Sequence, residues 1–424
     1  MKSDTPKVLH NIAMRPMLQY LLDLASELVL PKDIYVVVNN KLIHYQKYQD
    51  LKSRYKFHEI IQEYGLGTGC AVKAVFNNKV KISDNVLILY GDTPLITIKH
   101  IKDMLIKLSL GISLCLLAFY ANDAKDYGKI LLSKDKIVKI VEYSSTIYDQ
   151  EKSQIYNSGI ILCTAILLKH FLLAKVSEYS NREFFLTDIS DFASKNSYSS
   201  SFITGDATDL MGINDRTALC KADKIMQKRI HTHLLKNGVS LIQPENSYFA
   251  YDITIENDVV IYPFVFIGPS SVIMSGSTIY SFSHIEGGTF EKNNTIGPFA
   301  RIRPKTIISQ GTKVGNFVEI KNSFIGKNSK ISHMSYIGDV KMDDICNIGA
   351  GVVFCNYNGE VKNTSIVSKG SFIGANSTII SPIKIGEYST IAAGSTINKN
   401  VKRNDLGISR AKQVNLVGKS IVKK

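Results

Sequence analysis

A chain of 424 residues exceeds what one hydrophobic core usually organises, so two or three domains are expected. Hydrophobic residues at 45% and charged residues at 21% supply enough apolar material for packed cores and exclude a disordered chain. Lys+Arg number 51 against 37 Asp+Glu, a net charge of +14, yet lysine is spread evenly and the densest basic run is the tail from Lys419 to Lys424. Small phosphorylated ligands, or a plain lysine-rich composition, fit that charge better than nucleic acid does.

The six cysteines, at positions 70, 115, 163, 220, 346 and 355, form no CxxC pair and no metal-ligand spacing with the nine histidines. Neither zinc nor a disulfide framework is indicated, and a reducing cytoplasmic location is expected. The start, Met1 to Asn11, is polar, and the longest apolar stretch, Ile160 to Leu168, is broken by Lys169 well short of a bilayer span, so stable membrane insertion is not expected.

In chain order, residues 1–213 alternate short β-rich runs (Ile34 to Val38, Val86 to Tyr90, Ile112 to Phe119) with amphipathic stretches such as Pro16 to Leu28. That alternation predicts an α/β domain with a mostly parallel, helix-covered sheet. The run Val86 to Tyr90 leads into Gly91, Asp92, Thr93 and Pro94, which places a carboxylate at the carboxyl end of a buried strand, where ligands of open α/β sheets bind. From Asn214 to Leu235 apolar residues recur at helical spacing, with Lys and Arg on the other face, which predicts a connecting helix over 214–238.

Beyond it, in residues 239–424, isoleucine recurs every sixth position at 255, 261, 267, 273, 279 and 285. The phase resumes at Ile296, Ile302, Ile308, Val314 and Ile320, then at Ile325, Ile331 and Ile337, and last from Ile373 to Ile397. Helix and strand side-chain periods are 3.6 and 2, so a period of six points instead to a coil of three six-residue sides, a parallel β-helix. Phase slips fall at 285–296, 320–325 and 354–373. The last contains a polar insertion, Cys355 to Gly359, of the kind that builds binding faces on solenoids.

Five motifs bind the two halves into one picture: Ser3-Asp-Thr-Pro-Lys-Val-Leu-His10, Gly65-Leu-Gly-Thr-Gly69, Tyr90-Gly-Asp92, Asn316-Phe-Val-Glu-Ile-Lys321 and Asn347-Ile-Gly-Ala-Gly351. With Asn356-Tyr357, Ala392-Ala-Gly394 and Ile408-Ser-Arg410, the chain resembles, almost end to end, the bacterial bifunctional N-acetylglucosamine-1-phosphate uridylyltransferase/glucosamine-1-phosphate acetyltransferase family. The resemblance implies a nucleotidyltransferase-like (Rossmann-like) α/β domain followed by a left-handed parallel β-helix of hexapeptide repeats. It also implies a homotrimer with active sites between neighbouring β-helices.

For the N-terminal half it implies attack of N-acetylglucosamine 1-phosphate on the α-phosphate of UTP, with Mg2+ held by Asp92 and Asn214, a hard cation on few oxygen ligands plus phosphates. By motif position Lys7 would meet the triphosphate. Gln62, Gly67 and Thr68 would lie on the uracil, with Tyr90 and Gly91 beside Asp92, and Gly128, Glu142 and Asn157 on the sugar. Family members open with a strand and a Gly-rich loop reading like LAAGxGTRM, and this sequence begins at the Met closing that motif. Such a loop stabilises phosphates through backbone N–H donors, so the chain as written is expected to be nearly inactive in uridylyl transfer. Either the start is placed too far downstream, or the protein is truly reduced to one activity.

For the C-terminal half the resemblance implies acetyl transfer from acetyl-CoA to glucosamine 1-phosphate, with His333 as general base. Arg303 and Lys321 would bind the sugar phosphate, Tyr336 and Asn347 the sugar, and Ala350, Asn356, Tyr357, Ala375, Ala393 and Arg410 the acetyl-CoA. Ala375 stands where serine is usual and Lys305 where glycine is common. The implied role is synthesis of UDP-N-acetylglucosamine for cell-envelope precursors. Three alternatives stand beside it: an acetyltransferase alone, a non-catalytic sugar-nucleotide sensor or scaffold, and a pyrophosphorylase for another sugar.

Overall fold

The computed structural model describes residues 1–62, 67–77, 82, 84–133, 136–143, 145, 153–175 and 183–419. These form two compact units, Met1–Met226 and Gln227–Lys424.

In the first unit a helix α1 (Met17–Leu28) precedes strand β1 (Tyr35–Val38), α2 (Gln46–Tyr55) and β2 (His58–Ile61). There follow α3 (Thr68–Asn77), β3 (Asn85–Ile88), α4 (Ile98–Ser109), β4 (Leu114–Tyr120), a hairpin of β5 (Lys129–Ser133) and β6 (Lys136–Val141), and β7 (Ile155–Thr164). The unit closes with α5 (Ala165–Lys175), α6 (Ile189–Lys195) and β8 (Ser200–Thr204). Strand β4 explains the layering. Leu114, Leu116 and Ala118 enter one buried cluster, while Cys115, Leu117 and Phe119 enter another, so the alternating side chains of one strand bury both faces of the sheet.

The sheet is mixed rather than mostly parallel. Strand β7 runs antiparallel to both β3 and β4 and lies between them, whereas β8 pairs with β4 in parallel. Strands β1 and β2 form a separate parallel pair. The strand leading to Asp92 is also not buried as expected. Val86, Leu87 and Ile88 are only partly covered, because among the described residues β3 is hydrogen-bonded along one edge, to β7. The predicted connecting helix is α7 (Arg216–Lys236), whose Ala222, Met226, Ile230 and Leu234 are buried at helical spacing; the division between the two units falls inside it.

The second unit is a parallel β-helix. Its short strands make three sheets of ten, nine and eight strands among the described residues, each strand pairing in parallel with the third one after it until the last coil, where Thr390–Ile391 pairs with Leu406–Gly407, two strands on. Ile261 lies on Ile279, Ile279 on Ile296 and Ile296 on Val314, every one of them at most 1% exposed. Serines at the interior of the corners are satisfied by backbone: Ser371 Oγ donates to the carbonyls of Ser368 (2.6 Å) and Gly386 (2.9 Å), which makes their burial affordable.

The phase slips have a plain cause. Phe290, Met342 and Phe354 fill interior slots where isoleucine is missing, all three 0% exposed; a side is one residue short before Phe290, Ile325 and Met342, whereas the last slip is an insertion. After Cys355, which still pairs with Ile380, the chain leaves the coil and rejoins it at Ser365, which pairs with Val340.

One corner of the prism, between the ten- and nine-stranded sheets, organises the surface. Successive coils place Phe264, Phe282, Phe299, Phe317, Met334, Gly351, Asn376 and Gly394 there, all at positive φ. The four phenylalanines stack ring on ring, with centroids 5.2, 4.9 and 5.1 Å apart, and are 44–60% exposed.

Candidate active sites

In the first unit the backbone of Asp92 is tied to the segment before α7, since Ile213 N–H donates to the Asp92 carbonyl at 2.9 Å. That tie brings Asn214 beside Asp92. Lys7, from the one-turn helix Lys7–Leu9, donates from Nζ to Asp92 Oδ2 (2.6 Å) and to Asn214 Oδ1 (2.9 Å), so three of the predicted residues meet at one cation. A carboxylate and an amide carbonyl converging on one ammonium are the hard oxygen donors that suit a divalent ion completed by phosphates. No group of three or more His, Cys, Asp or Glu able to hold a metal occurs among the described residues.

The other predicted positions surround this point. The Tyr90 ring lies against Gly159, at φ +89°, where an added Cβ would come within 2.4 Å of the ring. Burial, with the negative charges of Glu142 and Asp92 adding, pushes the Tyr90 hydroxyl up to about 12, so it stays a neutral group, hydrogen-bonded to Thr68. Thr68 Oγ1 also accepts from Leu186 N–H (3.0 Å), and Gly69 N–H donates to Phe184 O (2.8 Å), which stitches this loop to the segment before α6. Gly67 is described, whereas Gly65 and Leu66 of the same motif lie outside the described residues. Gln62 directly follows β2, its N–H donating to Val38 O at 2.9 Å, and Gly91 sits between Tyr90 and Asp92.

Toward the sheet, Asn157 N–H donates to the Gly128 carbonyl (2.8 Å), and Thr187 Oγ1 donates to Glu142 Oε1. Burial raises the Glu142 carboxyl above its ordinary value, partly offset by that hydrogen bond. Asn157 is 5% exposed and its Oδ1 finds no donor among the described residues. A buried acceptor left unpaired costs free energy unless a ligand supplies the donor.

In the second unit the site grows along the prism corner. Met334 N–H donates to Asn316 O (3.0 Å), Gly351 N–H to His333 O (3.3 Å), Asn376 N–H to Ala350 O (2.7 Å) and Gly394 N–H to Ala375 O (2.8 Å). Arg410 Nη1 then donates to Ala393 O (2.7 Å). Asn316, His333, Ala350, Ala375 and Ala393 are therefore one column, one residue before the corner on five successive coils, spaced by about 4.8 Å as parallel strands are. The column changes from polar side chains to three alanines, which leave an open track along the coil edges.

Asn316 Oδ1 lies 2.8 Å from His333 Nδ1. An amide oxygen can only accept, so Nδ1 carries the proton and Nε2 is the basic nitrogen. On the adjoining side, Ile302 pairs with Ile320, so Arg303 and Lys321 share a register position, and Lys321 pairs with Gly338. Arg303 Nη1 holds Glu319 Oε1 at 3.1 Å. A side chain at Gly338 would come within 2.4 Å of the Tyr336 hydroxyl and 2.8 Å of Asn356 Nδ2, so glycine here lets those two groups sit together. Asn322 and Asn356 both donate to the buried carboxylate of Asp339. Asn347 pairs with Lys330 and Phe372 in the ten-stranded sheet, and Tyr357, 58% exposed, opens the insertion.

Two contacts of this arrangement could not be read from the motifs. Asn316 was visible only as the first letter of its motif; its contact with His333 arises from register. Lys362 lies on the insertion, paired across it with Tyr357. Its positive charge beside the Lys321 ammonium lowers the Lys321 pKa, with desolvation and the nearby Arg303 acting in the same direction and Asp339 opposing them. Three cations gathered in this way form an anion site.

Comparison with known proteins agrees with both halves. Residues 1–138 match the MobA-like NTP transferase domain, and residues 364–399 the bacterial transferase hexapeptide (six repeats). The bifunctional protein GlmU of Wolbachia pipientis wMel is 39% identical over 416 residues, covering 98% of this chain and 95% of that protein. Its counterpart in Zymomonas mobilis is 36% identical over 422 residues, with coverage of 98% and 92%, and that in Bartonella quintana 37% identical over 418 residues, again with 98% and 92%. At that identity over nearly the whole length of both partners, the chain belongs to the bifunctional GlmU family.

Proposed function

We propose that the two reactions of UDP-N-acetylglucosamine synthesis are divided between the two sites, acetyl transfer on the β-helix corner and uridylyl transfer around Asp92. The chain is a bifunctional enzyme of this kind, using acyl-CoA and nucleotide substrates. The reaction boundaries we take are 1–213 for uridylyl transfer and 239–424 for acetyl transfer, joined by 214–238.

The observation that carries the acetyltransferase reading is the column of Asn316, His333 and three alanines. Arg303, Lys321 and Lys362 hold the phosphate of glucosamine 1-phosphate, and Tyr336 and Asn347 hold the sugar. Acetyl-CoA lies along Ala350, Ala375 and Ala393, flanked by Asn356, Tyr357 and Arg410. Ala375 offers no hydroxyl, so the cofactor meets backbone there. The amine attacks the thioester carbonyl while His333 Nε2 takes its proton. The C–N bond forms, the C–S bond breaks, and the thiolate leaves to be protonated. Asn316 keeps the imidazole in the tautomer this requires.

In uridylyl transfer a phosphate oxygen of N-acetylglucosamine 1-phosphate attacks the α-phosphorus of UTP and pyrophosphate leaves. Asp92 and Asn214 are the residues that would hold Mg2+, which when bound neutralises phosphate charge. Lys7 binds the triphosphate, and Gln62, Gly67 and Thr68 the uracil. Gly128, Glu142 and Asn157 take the sugar, and the unpaired Asn157 Oδ1 supports that placement.

We place the enzyme in the cytoplasm, as its six free thiols suit; no helix among the described residues is long and apolar enough to cross a membrane. A homotrimer accounts for the exposed phenylalanine column, because isolated chains seldom leave such a contiguous apolar surface uncovered.

Assays of the purified protein test the division. His333→Ala is expected to lose about 10²–10⁴-fold in acetyl transfer and to keep pyrophosphate release from UTP and N-acetylglucosamine 1-phosphate. Asp92→Ala is expected to show the reverse, losing at least about a hundredfold in uridylyl transfer. A wild-type chain with acetyl transfer alone bears out the loss of uridylyl transfer expected without the Gly-rich loop and favours the single-activity alternative, and one without acetyl transfer contradicts the reading of the β-helix site. Lys362→Ala should raise KM for glucosamine 1-phosphate about tenfold while leaving KM for acetyl-CoA unchanged, a loss typical of one charged hydrogen bond; equal KM values would remove Lys362 from the phosphate site. Sedimentation equilibrium should give three chain masses, and a single chain mass at micromolar concentration would refute the trimer.

A further inference from the structure

Lys7 occupies the point where the two candidate metal-ligand oxygens converge. Its Nζ is 2.6 Å from Asp92 Oδ2 and 2.9 Å from Asn214 Oδ1, and the Lys7 and Asp92 side chains are 36% and 19% exposed. The convergence is built in, because the Ile213 N–H bond to the Asp92 carbonyl fixes the spacing of the two ligand-bearing segments, while Lys7 reaches in from a separate turn. The two oxygens are thus fixed with respect to each other and the ammonium is the movable part.

We propose that Lys7 is the resident counter-ion of the divalent-metal site in the nucleotide-free protein, and that the metal enters only when phosphate draws the ammonium away. The inference rests on the reading of Asp92 and Asn214 as metal ligands. An ammonium and a divalent ion cannot share two oxygens at these distances: each neutralises the same carboxylate, and adding the second brings like charges into contact. A triphosphate offers the ammonium a second anion, so its arrival frees Asp92 and Asn214 and carries the metal in with it. Lys7 acts in this way as a positioning residue that orders ligand entry, and it guards the carboxylate against adventitious divalent ions in the absence of nucleotide.

The test is direct binding of Mn2+, as a spectroscopic substitute for Mg2+, to the full chain without nucleotide, followed by electron paramagnetic resonance of the free ion. Lys7→Ala should bind Mn2+ at least about tenfold more tightly than the wild type, the scale on which one neighbouring charge shifts ion affinity at a carboxylate. Lys7→Arg should bind as the wild type does, and Lys7→Ala combined with Asp92→Ala should lose the gain. Mn2+ binding by Lys7→Ala no tighter than wild type overturns the inference. A separate titration with UTP present tests the foundation. If Asp92→Ala leaves Mn2+ uptake with UTP unchanged, the ligand assignment falls and the inference with it. If Asp92→Ala abolishes that uptake while Lys7→Ala gains nothing without nucleotide, only the inference falls.

Discussion

The backbone hydrogen bond from each coil of the β-helix to the next is the constraint on which the acetyl-transfer site depends. It holds consecutive coils about 4.8 Å apart and in fixed register, so that residues distant in sequence become neighbours in a column. At one corner the bonds from Met334, Gly351, Asn376 and Gly394 lock Asn316, His333, Ala350, Ala375 and Ala393 into line. A histidine with its supporting amide at one end and a track of methyl groups leading away from it are consequences of that register. The interior isoleucines, by filling each coil, keep the column straight enough for such contacts to form.

The first unit reaches the same end by a different route. Its site lies where a strand ends and a distant segment is tied back by a single backbone bond, and there the determining quantity is charge rather than register. Burial keeps Tyr90 neutral and pushes Glu142 toward its neutral form, whereas Asp92 is partly exposed and is compensated by Lys7. The buried polar groups of this unit thus carry a cost for charge, and the partly exposed Lys7–Asp92 pair is where charge is concentrated.

How much of this the residues announce depends on the range of the interaction concerned. The six-residue period follows from local geometry repeated many times, so the β-helix and the columns it implies can be read directly from Ile255 to Ile397. The interior roles of Phe290, Met342 and Phe354 cannot, because a short coil is filled by whatever side chain has the right volume. In the α/β half, the helix ends and strand positions follow from apolar patterning, but the reversal of β7 between β3 and β4 does not: a continuously buried strand shows the same apolar run in either direction. Likewise the partial exposure of β3 depends on which edge is paired, a non-local fact. Lys7, Asp92 and Asn214 are far apart in sequence and only motif company links them beforehand. The contact of Asn316 with His333 and the approach of Lys362 to Lys321 have no local signature, since one arises from coil register and the other from the path of an insertion.

Register places Asn316 behind His333, and in the proposed acetyl transfer this contact fixes which imidazole nitrogen acts as base. The pH dependence of kcat/KM for acetyl transfer by Asn316→Asp tests it most directly. A carboxylate 2.8 Å from Nδ1 would favour the imidazolium, so His333 would stay protonated to higher pH and the acidic limb of the profile would move upward by about one unit or more. An acidic limb unchanged in Asn316→Asp, in a protein with wild-type circular dichroism and melting temperature, would contradict the assignment of that hydrogen bond and of His333 as the base it orients.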